Sequence, residues 1–536
     1  MADAGRARRG DELPDDDLAD DGLPGTLPRS ILDALAGSRW AGLRGVRLES
    51  GTAVDTFRFE DGGVLALVEA VLPDSSTVRL TLPADDPVLL GDRAAGTVGA
   101  GPWAGLDDLA RRGGTVAGAR GFRLLGRPGR MASLGCIARP GGDDRNPGGD
   151  DVLASDAGVR RSSADQSHTG VILDGARYLK LYRRLGPGGT HEAGVLAALD
   201  SLGGAATGLV PGWIGAVELT APGAPSIAGA TTPTPTATIA ILQAAIPDAT
   251  DAFESLAEAL AAWLAADEPL DAGSPGASLP AAIGRATGQL HRALAAVPGT
   301  PTPRPASDQE RTAWLAAALA RIDTAITALA VNDPAASRRL ELAAPVLRRA
   351  LRPLGDAAIA VNVGRIHGDL HLGQVLVSGG QVVVIDFEGD PMAGDAPTGP
   401  AAPALRDVAT VRRSIDHVAR SGLRRAANRR GREATPAATT AAEAWIRDAR
   451  STYLSAVRAG AGSGWDRWPP DRSILRAMEI DAEIRELIYA ARFLPAWSYA
   501  PIAALRALTG IDLGAKVDGS SPPPAPTSSA IRQRGS

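Results

Sequence analysis

The chain has 536 residues, 44% of them hydrophobic and only 4% aromatic, which is too long for one hydrophobic core and implies two or three domains. The net charge of −5 is spread along the chain and argues against nucleic acid or an anionic membrane as the main partner. The single cysteine, Cys136, excludes an intrachain disulfide and a cysteine-based zinc site.

Residues 1–24 are acidic, lack the apolar segment of a secretory signal and read as a disordered tail. No uninterrupted apolar run reaches the roughly 18 residues a membrane span needs, so a cytoplasmic protein is expected. Residues 25–135 read as a small mixed domain. "PRSILDALAGSRW" predicts a helix, "GGVLALVEAVL" and "STVRLTL" predict strands around the turn "PDSS", and "GPWAGLDDLARRG" predicts a second helix. A linker over 136–162 contains "PGGDDRNPGGDD".

A strand-rich block follows over 163–247. "GVILDGARYLKLYRR" predicts a hairpin turning at Asp174 and Gly175. "THEAGVLAALDSL" predicts a helix, "APGAPSIAGATTPTPT" an insertion over 221–236, and "ATIAILQAAI" a strand. From 248 to 515 the pattern is mainly helical, broken by proline-rich loops at 299–306 and 391–403. The Pro/Ser-rich stretch 516–536 reads as a disordered tail.

One stretch inside the helical block departs from it. "RIHGDLHLGQVLVSGGQVVVIDFEGDP", residues 365–391, contains two short apolar strands around "SGG". Asp369 lies in the loop before the hairpin, Gln374 opens its first strand, and Asp386 ends its second. Phosphoryl transfer requires this set. One carboxylate orients and deprotonates the attacking hydroxyl, while a carboxylate and a side-chain carbonyl bind the Mg²⁺ that bridges the phosphates of ATP. Asp369 is therefore expected as the base, with Gln374 and Asp386 as metal ligands. Each aspartate alone is more often a turn former; the joint pattern favours function. His367 and His371 are expected to brace the loop by hydrogen bonding.

The pattern "HGDLHLGQVL…DFEGDP" resembles the protein-kinase-like superfamily in its aminoglycoside-phosphotransferase branch, and more narrowly the actinobacterial maltokinase-like and glucosamine kinases. The resemblance implies an α+β, bilobal protein-kinase-like fold with a β-rich N-lobe, a helical C-lobe and an N-terminal α/β cap domain, to which "SRWAGLRG" is similar. It implies a lysine for the ATP phosphates, held by a glutamate. Lys180 lies between Leu179 and Leu181 in an apolar strand, where a lysine needs a partner, and Glu192 on the next helix is the candidate. The alternative for Lys180 is an edge-strand lysine facing solvent. "SADQSHTG" (163–170) takes the place of the phosphate-covering loop, with His168 where the family has Asn. The backbone of Ala244, Ala245 and Ile246 is implied to meet adenine. Asp251 is implied to meet the ribose, and it is also a good helix N-cap.

The acceptor is expected on two later helices. One carries Asp407, Asp416 and His417. On the other, Glu479, Glu483 and Glu486 recur at helical spacing and share one face. A solvated acidic face paired with Arg476, Arg485 or Arg492 is the plain reading. Against it, the face adjoins Tyr489 and Trp497, which could wall a sugar, and carboxylates suit an acceptor bearing an ammonium group. "AEIRELIYAARFLPAW" (482–497) resembles the substrate-determining segment of actinobacterial glucosamine kinases. That resemblance implies ATP-dependent phosphorylation of D-glucosamine to glucosamine 6-phosphate, with Asp369, Glu486, Trp497 and Asp416 at the acceptor. The alternatives are maltose 1-phosphorylation, an aminoglycoside acceptor, or a catalytically silent nucleotide-binding module. The expected partners are ATP and a small amino sugar, with a monomer favoured.

Overall fold

The computed structural model describes residues 26–37, 47–83, 102–130, 159–161, 168–186, 190–203, 206, 208–224, 236–265, 276, 278–297, 303–389, 401–463 and 472–513. Cys136, both expected tails, the 140–151 linker, most of the 221–236 insertion and positions 163–167 of the expected phosphate loop lie outside these residues. The chain divides into a strand-rich unit (1–189 and 214–243) and a helical unit (190–213 and 244–536), in agreement with the expected α+β, bilobal kinase-like fold.

The strand-rich unit contains β1 (Ser50–Arg58), β2 (Val64–Val71), β3 (Thr77–Pro83), β4 (Gly114–Ala117), β5 (Arg123–Pro128), β6 (Val159–Arg161), β7 (His168–Leu173), β8 (Arg177–Tyr182), β9 (Arg184–Leu185), β10 (Trp213–Thr220) and β11 (Ala237–Ala244). One sheet has the order β1-β2-β3-β9, and a second has β4-β5-β10-β11-β8-β7-β6. The second sheet joins strands from the stretch expected as a cap domain to strands from the expected N-lobe. β2 shows why both faces of its sheet are covered. Leu65 and Leu67 enter one core with Trp103, Leu124 and Ile239, while Ala66, Val68 and Ala70 enter another with Ile31, Leu35 and Leu80. Successive side chains point to opposite faces, so an apolar residue at every position needs cover on both.

The same alternation governs β8. Leu179 and Leu181 enter the larger core, which turns Lys180 to the other face, where it pairs in register with Gly170 and is 3% exposed. Its Nζ lies 5.4 Å from the centroid of the Tyr182 ring. Lys180 is thus a buried lysine and not a solvent-facing edge residue.

The helical unit is built from long helices. Leu279–Ala296 packs closely on Pro436–Ala461. A Cβ on Gly284 would lie 2.4 Å from the Tyr453 carbonyl oxygen, and one on Gly288 would lie 2.2 Å from that of Val457. Only glycine permits this approach, and it fixes the helix that carries His291.

The Asp308–Asn332 helix is long and apolar enough by composition to cross a membrane, which the sequence reading did not anticipate. It opens on a capping box between Ser307 and Glu310. It buries Ala318, Ile322, Ala325 and Leu329, and Arg321 forms a two-pronged ion pair with Asp481 at 2.7 and 2.9 Å. These are the features of a helix packed onto protein.

Candidate active site

The hairpin forms as its sequence implies. Val375–Ser378 and Gln381–Val384 pair antiparallel, with Ser378 opposite Gln381 and both turn glycines at positive φ. Val375, Leu376, Val383 and Val384 are buried and anchor it. Its residues therefore inherit a rigid frame.

The loop before the hairpin is held by a buried carboxylate. Asp407, in the first turn of Leu405–Arg430, accepts the backbone N–H groups of His367 at 2.9 Å and Gly368 at 3.0 Å. It also accepts His291 Nε2 at 2.9 Å. Burial alone would raise this carboxyl's pKa, but the hydrogen bond and charge of His291, then His367, outweigh it and hold the group below the usual carboxylate range. Gly368 adopts φ 93°, a left-handed conformation that glycine supplies without strain.

Two histidines complete the loop, both as the same tautomer. His367 Nε2 donates to the Ile385 carbonyl at 2.9 Å, so its Nδ1 is the acceptor for the Asp369 N–H at 3.3 Å. Burial lowers its pKa, keeping it neutral. His371 Nδ1 accepts the Gly373 N–H at 3.1 Å, which leaves Nε2–H facing Asp369 Oδ2 at 4.0 Å. His371 is depressed to about 4, by burial first and then by the Arg413 guanidinium. The expectation that these histidines brace the loop matches this geometry. The Asp369 carboxylate, 31% exposed, is presented rather than buried.

The metal-ligand candidates meet at the far end of the hairpin. Gln374 Nε2 donates to Asp386 Oδ2 at 3.0 Å. Asp386 has φ 66°, a strained conformation for a non-glycine residue that aspartate tolerates better than most. The buried Glu192 follows the Thr190 N-cap of His191–Ser201, and its Oε1 accepts the Phe387 N–H at 3.3 Å. Carboxylate oxygens of Glu192, Asp386 and Glu388 all lie within 4.8 Å of one another. Glu192 therefore stands in the carboxylate cluster, a placement the sequence reading did not consider.

The nucleotide candidates are placed as follows. Ala244, Ala245 and Ile246 are partly buried; the Ala244 N–H donates to the Gly212 carbonyl at 2.8 Å, and Ile246 packs against Leu376 and Val383. Asp251 is 2% exposed, and its Oδ1 accepts the Glu254 N–H at 2.7 Å, so the capping role is realised.

The three glutamates of the Arg472–Phe493 helix share a face but not a fate. Glu479 lies between Arg412 and Arg450. Glu483 pairs with His417 Nε2 at 2.8 Å, and burial raises its pKa against the pull of that histidine. Glu486 accepts the Trp497 indole N–H at 3.0 Å and pairs with Arg413 at 3.1 Å. Burial opposes its ionisation, but Arg413, His417 and His371 together lower its pKa. Instead of solvated charges paired with Arg476, Arg485 or Arg492, the row is a largely buried set paired with the Leu405–Arg430 helix.

Trp497 packs between Phe253, His417 and Tyr499. Tyr489 instead stacks on Phe493 at 5.2 Å, and both are exposed. Asp416 is buried and bonded to Arg420, on a different ion network from Glu486. His371 lies beside Asp369 and Trp497 bonds to Glu486, while Asp416 pairs with Arg420 and Tyr489 with Phe493. Sequence reasoning missed His291, Asp407, Glu388 and Arg413 as supporting residues. Only Glu388 had a local signal, its place two residues after Asp386.

Residues 248–438, within the helical unit, match the family model described as the phosphotransferase enzyme family. The similarity narrows further among individual proteins. The chain is 36% identical over 245 residues to the glucosamine kinase of Mycolicibacterium smegmatis, covering 44% of this chain and 57% of that one. It is 33% identical over 232 residues to the glucosamine kinase of Streptacidiphilus jiangxiensis, covering 43% of this chain and 49% of that one. The matched stretches thus span about half the length of these curated relatives. A solved glucosamine kinase in complex with glucosamine, ADP and inorganic phosphate shares the fold, with a TM-score of 0.56 and 22% identity over 86% of this chain and 93% of that one. The resemblance to the actinobacterial glucosamine kinases read from the sequence is borne out.

Proposed function

We propose that the chain is an ATP-dependent kinase that phosphorylates D-glucosamine to glucosamine 6-phosphate. The observation that carries this reading is the hairpin site, where Asp369 is presented in a braced loop and Gln374, Asp386, Glu192 and Glu388 gather oxygen donors; Glu486, held by Arg413 and Trp497, is the candidate ammonium receptor. The named activity of the similar proteins supports it.

Asp369 accepts a hydrogen bond from the attacking hydroxyl and takes its proton as the phosphoryl group moves. His367 and His371 stay neutral, hold the loop and orient that carboxylate. Glu486 retains acceptor capacity beyond its bonds to Trp497 and Arg413 and receives the amine of the acceptor. Lys180 is assigned to the ATP phosphates by its sequence pattern and its burial. Glu192, Gln374, Asp386 and Glu388 offer the hard oxygen donors that Mg²⁺ prefers, and Mg²⁺ bound with ATP would neutralise charge on the phosphates. A cytoplasmic setting accompanies ATP as co-substrate.

The test is turnover of the purified chain with Mg²⁺-ATP on glucosamine, glucose, maltose and kanamycin in parallel. Turnover on glucosamine well above glucose is expected. Turnover on maltose alone would reassign the acceptor and reduce Glu486 to a structural ion pair.

A further inference from the structure

A second cavity lies in the helical unit, lined by residues of the Leu405–Arg430, Pro436–Ala461, Arg472–Phe493 and Tyr499–Thr509 helices, with a volume of about 660 Å³. None of Asp369, Gln374, Asp386 or Glu486 lines it. Six arginines do: Arg412, Arg420, Arg447, Arg450, Arg472 and Arg476. Among the described residues they face three carboxylates, Asp416, Glu443 and Glu479, in a chain whose net charge is −5.

The ion pairs do not consume this excess. Glu479 is shared by Arg412 and Arg450, and Asp416 is bound by Arg420. Among the described residues Arg447 and Arg472 form neither an ion pair nor a hydrogen bond. Arg450 Nε is buried with no hydrogen-bond partner. An arginine N–H withdrawn from water without an acceptor is costly. This buried N–H and the exposed guanidinium groups of Arg447 and Arg472 line one cavity, and guanidinium groups bind phosphate oxygens in paired hydrogen bonds. Ile446, Leu454 and Leu475 add an apolar wall, and the volume is that of a small-molecule pocket.

We propose that this cavity is a binding site for a phosphorylated small organic molecule, separate from the catalytic hairpin. The site stands on its own residues and does not depend on the identity of the acceptor sugar. It is placed to influence the acceptor constellation. Arg412 and Asp416 line the cavity, while their neighbours Arg413 and His417 hold Glu486 and Glu483.

The test is isothermal titration calorimetry on the full chain with glucosamine 6-phosphate and with inorganic phosphate as probes. Wild type, the double variant Arg447→Ala/Arg472→Ala and the double variant Asp369→Asn/Glu486→Gln are compared. A binding event retained in the Asp369→Asn/Glu486→Gln protein and weakened at least about tenfold in the arginine variant is expected, since charge-assisted contacts to phosphate are lost. Both arginines are solvent-exposed, and Arg447→Lys/Arg472→Lys should restore much of the binding, which separates charge recognition from misfolding. Tighter binding of the sugar phosphate than of inorganic phosphate confirms an organic ligand. Inorganic phosphate binding equally well would overturn that part of the proposal. Loss of all binding in the Asp369→Asn/Glu486→Gln protein, no change in the arginine variant, or no heat with either probe would overturn the site itself.

Discussion

Acidic residues cluster in two regions of the helical unit, at the hairpin and along one face of the Arg472–Phe493 helix, and the two handle charge in opposite ways. At the hairpin, neutral partners do the holding. Backbone N–H groups, Gln374 and histidines bond to the carboxylates or to the loop around them. On the helix, Glu479 and Glu486 are each met by arginine and Glu483 by histidine. The first arrangement keeps negative charge available for a cation or a proton, and the second neutralises it to allow packing. Glu486 is met both by the Arg413 guanidinium and by the Trp497 indole N–H.

The largest expected effect breaks the hairpin. Asp369→Asn removes the base while keeping the shape, and should lower kcat by roughly 10²–10⁴-fold, the usual worth of general-base catalysis. ATP affinity and the unfolding midpoint should change little, as followed by nucleotide titration and thermal denaturation. Asp407→Ala should come next, through a different quantity. It strands two backbone N–H groups and His291 in a buried site, a loss of about 3–5 kcal/mol by analogy with breaking a buried ion pair. Denaturant unfolding checks this, and activity should fall with it because the Asp369 loop loses its anchor.

A smaller effect concerns Trp497→Phe. It removes the indole N–H donated to Glu486, a charge-assisted bond worth about 1.5–3 kcal/mol. The KM for glucosamine should rise while that for ATP holds. The smallest effect is in pH. His371 and His191 are both depressed to about 4 from an ordinary value near 6.5. Between those values the unfolded chain binds more protons than the folded one, so stability should fall as pH drops from about 6.5 towards 4. Above pH 5.5 His371 should show the neutral Nε2–H form by ¹⁵N NMR. A His371 titration near 6.5 would contradict the assigned environment.

The hairpin was legible in the sequence because its parts lie within 27 residues and form two short apolar runs around a glycine turn. β2, β3, β7, β8 and the Trp103–Arg112 helix were legible for the same local reason. β1, β4, β5 and β10 were not assigned. β1 carries Asp55, Thr52 and Thr56 among its apolar residues, and β4 is only four residues long. The support of the site was equally hidden. Asp407 lies 40 residues from His367 and 116 from His291, and no local pattern announces such a contact. The glutamate row was visible as a face, but which member meets the acceptor depends on Arg412, Arg413 and His417 of another helix. Spacing alone likewise did not announce that Asp416 would bond to Arg420.

The most direct measurement of the central claim is the ratio of kcat/KM for glucosamine over glucose, in wild type and in Glu486→Gln. An ammonium bound by the Glu486 carboxylate predicts a ratio well above one that collapses by at least about tenfold in the variant, because a charge-assisted bond of roughly 1.5–3 kcal/mol is lost for the amine and not for the hydroxyl. A ratio left unchanged, or equal loss on both sugars, would show that Glu486 only secures Arg413 and Trp497, and that the acceptor is recognised elsewhere.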